Sequence, residues 1–255
     1  MNYGLYVAAA GLQHQEYRQD VIANNLANAQ TVGFKRVLAQ AQARVNPARE
    51  SSQFVNSDAL LRQAPAGGVW SMPTSLDLTQ APLTESANDH DLALQGPGFF
   101  MVQGNSPEER LLTRDGRFVV DNTGQLAMAT GGHAVLDAEG NPIKLDPAKP
   151  FLVTTQGAIK QGEATVAQLA VMNVGKSTDL VNRGGNLLGV KEGSPMMPAT
   201  VATQVRQGKT EQSGVDPMTE MVAMLEGQRH FEANTKMIQY QDTMLQQLNT
   251  VGRVA

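Results

Sequence analysis

The chain has no cysteine among its 255 residues. That absence excludes disulfides, thiolate nucleophiles and cysteine-ligated metals together, and it suits a protein that leaves the cytoplasm. Aromatic residues make up only 5%, with Trp70 the sole tryptophan. Charged residues make up 17%, below the usual quarter, so the surface repels neighbouring molecules weakly. The net charge is -4 and the basic residues are scattered, which argues against nucleic acid as a partner. No long hydrophobic run occurs. Leu5 to Leu12 is too short to span a membrane, lacks a basic flank and runs into Gln13, His14, Gln15 and Glu16. It makes a poor cleavable signal, so any export is expected to bypass the general secretory route.

Catalytic motifs are missing as well. Gly96-Pro97-Gly98 is not continued into a dinucleotide loop, and neither a P-loop nor a Gly-x-Ser-x-Gly elbow occurs. Asn88-Asp89-His90-Asp91 reads as a turn with solvated charges, because no second histidine cluster has matching spacing. Asp137 and Glu139 share one expected turn, which is unsuited to a carboxylate dyad. The sequence therefore nominates no catalytic, metal or cofactor-binding residue and no small-molecule substrate.

What is present falls into zones. Leu5, Ala8, Ala9, Leu12, Ile22 and Leu26 recur at helical spacing, and the helix is expected to stop near Asn28. Near the other end, Asp216 and Pro217 suit an N-cap and a first helical turn. Beyond them, Met224, Phe231, Ile238 and Leu245 are spaced by seven, with Met237, Met244 and Val251 as a second row. Met221, Val222, Leu225 and Leu248 widen the stripe. Such a repeat marks a coiled-coil-like seam. Between the helices, two Asp-x-x-Gly turns at Asp121 and Asp137 punctuate short extended stretches. These stretches are 92–94, 99–102, 117–120, 125–129, 134–136, 151–154 and 165–173. The expected organisation is an N-terminal helix and following segment (1–43), an extended connector (44–76), a β-rich domain (77–192), a second connector (193–214) and a C-terminal helix (215–255). The fold class is α+β, with the end helices packed together and a central, mostly antiparallel β-domain.

The helical stripes allow two readings. Each can bury against the chain's own β-domain, or the two can pack together and offer their remaining faces to other chains. Closing a loop of about 190 residues between them costs about 4–5 kcal/mol beyond a constant, less if the middle is folded. The broad C-terminal face and its adaptable methionines favour the second reading. That reading expects the termini to be partly disordered in the free monomer. A β-rich binding or adhesive module with amphipathic tails is the other function class; a carboxylate hydrolase is a third.

Local motifs narrow the choice. Asp20-Val21-Ile22-Ala23-Asn24-Asn25-Leu26-Ala27-Asn28, followed by Thr31, Gly33, Phe34 and Lys35, resembles the N-terminal signature of flagellar rod and hook proteins. Gly4-Leu5-Tyr6, Ala9 and Gly11-Leu12 fit the same pattern. The run from Asp91 to Phe100 and Thr113-Arg114-Asp115-Gly116-Arg117-Phe118 resemble the family's β-domain. Val215-Asp216-Pro217, Glu220-Met221-Val222, Gln228-Arg229 and Phe231-Glu232 resemble its terminal helix. The resemblance implies a rod protein with one β-domain, of the proximal type next to the distal rod, with the distal type as the other reading. It implies a hollow helical rod in the periplasm, built from copies of the chain and other axial proteins after passage through the flagellar type III export apparatus. The residues expected at subunit interfaces are Leu5, Leu12, Ile22, Asn24, Asn25, Leu26, Asn28, Met224, Phe231, Ile238, Leu245 and Leu248. Asn24 and Asn25 are expected to bond between helices, and Asn28 to end its own helix.

Overall fold

The computed structural model describes residues 3–43, 69–199 and 202–251, which form an α+β fold. Two compact units emerge. One comprises Met1–Leu26, Val37–Thr74 and Pro217–Ala255, and the other Ala27–Arg36 and Ser75–Asp216.

The first unit holds the long helices α1 (Tyr3–Ala27) and α2 (Pro217–Val251), which pack together, and a ribbon of β1 (Val37–Ala43) and β2 (Val69–Leu76). Helix α1 ends one residue before Asn28, whose backbone oxygen accepts from Thr31 N at 3.1 Å. Helix α2 opens on Pro217, where the missing N–H costs nothing. The expected connector at 44–76 ends in a paired strand, β2; its part at 44–68 lies outside the described residues.

The second unit is antiparallel β-structure. Its six-stranded sheet contains β5 (Phe99–Gln103), β6 (Arg110–Thr113), β12 (Val171–Val174), β13 (Leu180–Gly184), β14 (Leu187–Val190) and β15 (Met196–Pro198) in the order β13-β14-β6-β5-β12-β15. Smaller pairings surround it. Strand β3 (Leu83–Glu85) joins β17 (Lys209–Glu211), and β4 (Leu92–Gln95) joins β16 (Gln204–Gln207). Strand β7 (Phe118–Val120) joins β8 (Leu126–Met128). The last three, β9 (Leu152–Val153), β10 (Ala158–Gln161) and β11 (Ala164–Gln168), form their own sheet. Leu92, Leu94, Phe100, Val102, Phe118, Leu126 and Ile159 are almost wholly buried in one continuous core. Phe100 meets Phe118 edge to face with ring centres 5.2 Å apart.

Three differences from the sequence reading matter. The stretch 193–214, read as a connector, carries β15, β16 and β17. Strands β16 and β17 are mostly polar and pair through their backbones, and β15 is only three residues ending in Pro198, so none of them leaves a periodic signal in the sequence. The run 165–173 is two strands broken at Leu169 and Ala170, both buried. Asp91 is buried rather than solvated, accepting from Ser86 Oγ at 2.5 Å and Asn88 Nδ2 at 3.2 Å.

Candidate assembly surfaces

The signature segment after α1 sits in the β-unit. Gly33 N donates to Glu211 O at 2.8 Å, Gly214 N donates to Phe34 O at 2.9 Å, and Ser213 Oγ donates to Asn28 O at 2.9 Å. The chain leaving α1 is thereby stitched alongside the chain about to enter α2. Gly33 has a φ of +69°, and a methyl group there would lie 2.5 Å from the carbonyl carbon and oxygen of Arg114. Only glycine meets both demands.

Beneath this stitch lies a buried charge centre. Lys35 Nζ donates to Glu211 Oε1 at 2.8 Å and to Thr79 O at 2.8 Å. Arg114 Nη1 donates to Glu211 Oε2 at 3.0 Å, and Nη2 donates to Gly96 O at 2.8 Å. Ala81 N adds a further bond to Glu211 Oε1 at 3.1 Å. The Arg114 guanidinium lies 5.2 Å from the Phe99 ring centre. All three charged side chains are at least 97% buried. Two cations thus share one carboxylate. Sequence reading included Lys35 and Arg114 in the motifs but missed Glu211. Nothing in Lys209-Thr210-Glu211 marks it locally; only the need of two buried cations for an anion could have found it.

Burial is the main cause that lowers the pKa of Lys35 below its ordinary 10.5, against the opposing pull of Glu211. Burial lowers that of Arg114 too. For Lys35 the folded state releases its proton before the unfolded state does. Between the lowered value and 10.5 the unfolded chain therefore binds more protons, and stability rises with pH. The urea midpoint of the wild type, relative to Lys35→Met, is expected to improve as the pH climbs towards 10.5. A flat difference between the two titrations would contradict this.

In the helical unit, Asn25 is buried and spends its amide on its own chain. Nδ2 donates to Val37 O at 2.9 Å, and Oδ1 accepts from Val37 N at 2.9 Å. The expected inter-helix bond of Asn25 gives way to one that fastens α1 to the start of β1. Asn25→Ala leaves two backbone groups short and should cost about 2 kcal/mol. Faster hydrogen exchange at the Val37 amide is the readout. Tyr17 OH donates to Met72 O at 3.2 Å, and His14 Nδ1 lies 3.2 Å from Ser71 Oγ, so β2 also runs along α1.

The helices run antiparallel. A methyl group at Gly227 would lie 2.7 Å from Gln15 Nε2 and 3.5 Å from Gln19 Cγ, and one at Gly11 would lie 3.8 Å from Asn234 Nδ2. The better buried positions of α2 are Glu220, Ala223, Met224, Gly227, Asn234, Thr235, Ile238 and Gln241, which follow one side of the helix. Phe231 continues the series with 40% of its surface exposed. Ile22 is buried, Leu12, Leu26 and Asn28 are half-buried, and Asn24 is exposed. The side chains of Leu5, Leu245 and Leu248 lie outside the described residues.

At 100° per residue, Val222, Leu225 and Tyr240 fall on the opposite side of α2, with Met221, Met237 and Met244 on its two flanks. Val222, Leu225, Met237, Tyr240 and Met244 each keep more than half their surface exposed, and Met221 keeps 41%. The single broad stripe expected from sequence is two faces: one turned to α1 and one bare in the lone chain.

Known proteins are similar to this chain in sequence. Family models match three segments: "Flagella basal body rod protein" over 5–35, "Flagellar hook protein FlgE/F/G D1 domain" over 93–180, and "Flagellar basal body rod FlgEFG protein C-terminal" over 206–251. The flagellar basal-body rod protein FlgF of Caulobacter vibrioides is 33% identical over 239 residues, covering 93% of both chains. That of Mesorhizobium japonicum is 33% identical over 236 residues, covering 91% of this chain and 90% of its own. FlgG of Buchnera aphidicola subsp. Schizaphis graminum is 30% identical over 256 residues, covering 96% and 98%.

Proposed function

The chain belongs to the flagellar basal-body rod protein family, as a structural subunit of the proximal rod type, and from that premise we propose how it assembles. It polymerises through α1 and α2 into a hollow axial shaft, with copies of itself and with the neighbouring rod and hook proteins. It reaches that place through the flagellar type III export apparatus.

The observation that carries this reading is the bare apolar side of α2. Several large apolar side chains left exposed along one helix mark an interaction site. Leu12, Ile22, Leu26, Met224, Phe231 and Ile238 shape the helix pair that presents it, and Asn24 lies on the exposed side of α1. The test is Met237→Glu with Met244→Glu, introduced into a strain lacking the natural gene. Two carboxylates forced into an apolar contact should reduce assembly by about 100-fold or more. Purified protein should keep its helix content and thermal midpoint. Basal bodies imaged from the strain should lack a complete rod and hook. Complete rods and motile cells would overturn the reading; loss of the protein from the exported fraction would place the fault in export instead.

A further inference from the structure

The seam side of α2 consists of two interleaved rows, each repeating every seven residues. Met224, Phe231 and Ile238 form an apolar row, and Glu220, Gly227, Asn234 and Gln241 form a row of polar residues and one glycine. The apolar row is nearly blind to a slip of seven residues, because one bulky apolar side chain then replaces another. The second row is not. Gln15, 93% buried on α1, rests its amide where a side chain of residue 227 would stand, with Gln19 beside it. A slip of seven in either direction brings Glu220 or Asn234 into that place, and either side chain requires the Gln15 amide to move out of the seam.

The same spot is locally unfavourable. Gln15 Nε2 is buried and bonds to nothing among the described residues, and so is Gln241 Oε1 further along the row. Gly227 weakens the middle of a 35-residue helix. Buried polar groups at a seam commonly fix register at a cost in stability, and a cluster of such local violations points to a selected role. We infer that the Gln15–Gly227 contact is the register and partner-selecting element of the α1–α2 pair. It admits the α1 of this chain type in one alignment, while the apolar row supplies adhesion without choice. The inference concerns the free subunit and stands whether or not the outer stripe of α2 binds neighbours.

The absence of natural cysteine makes the test clean. Two full-length reporters are made. Gly11→Cys with Asn234→Cys reads the observed register, and Gly11→Cys with Gln241→Cys reads a slip of seven. Each is oxidised in the natural background and in a background carrying Gln15→Leu, Gln19→Leu and Gly227→Ala. In the natural background the first reporter should form its intramolecular disulfide at least ten times more completely than the second. In the apolar background that preference should fall at least tenfold, and disulfide-linked dimers should appear. An unchanged preference overturns the inference and leaves register to the bonded junction of residues 28–34 with 211–214. Should the triple variant fail to fold by circular dichroism, Gln15→Leu alone carries the same two outcomes.

Discussion

Glu211→Gln should destabilise the β-unit by about 3–5 kcal/mol, the cost of leaving buried charge without its counterion. The neutral amide keeps the shape and some hydrogen bonding, so the loss isolates charge. Lys35 and Arg114 would then face each other beneath the stitch with no anion between them. At about 2–4 °C per kcal/mol for a domain of this size, the thermal midpoint should fall by roughly 10 °C. Lys35→Met should do much less harm, because Arg114 and Glu211 remain as a neutral, directly bonded pair. Equal losses in the two variants would show that the centre is held by packing rather than by charge balance.

Gly116→Ala should be at least as damaging. The missing methyl would stand 1.6 Å from the carbonyl oxygen of Leu92 and 3.3 Å from the Phe100 ring. Neither neighbour can yield. Leu92 N bonds to Gly116 O at 2.9 Å, so this is a closure between two backbones, and Phe100 is fully buried. The clash must separate β4 from the loop leading into β7 and open the core beside them. A loss of about 4 kcal/mol or more is expected, in the range reserved for such backbone conflicts. Proteolysis of the purified chain measures it. Accelerated cleavage within the β-unit, with the helix signal largely retained, is the anticipated pattern, and wild-type resistance would refute it.

Much of the architecture was legible because it leaves periodic marks. The sevenfold spacing of Met224, Phe231 and Ile238 announced a seam, and Asp121 and Asp137 announced turns. Asp121 Oδ1 accepts from Thr123 N and Gln125 N at 2.8 Å each; Asp137 Oδ1 accepts from Glu139 N and Asn141 N at 2.9 and 2.8 Å. Strands such as Gln204–Gln207 left no mark, since they pair by backbone and use polar side chains. The two faces of α2 were read as one because sequence spacing shows apolar breadth but not which half a neighbouring helix covers. The signature residues were recognised as a group, yet their use was not. Asn25 fastens a strand, Gly33 admits a backbone, and Lys35 reaches 176 positions along the chain to Glu211.

That reach governs when the molecule can become itself. A polypeptide delivered from its amino end presents Lys35 early, Arg114 midway and Glu211 only near completion. Until then two cations lack the anion that makes their burial tolerable, and β3 and β4 lack their mates β17 and β16. Every shorter length is therefore a poor candidate for consolidation, and a growing chain stays open until Glu211, β16 and β17 are in hand. Truncations ending before residue 204 should remain open chains, whatever the quality of the strands they retain.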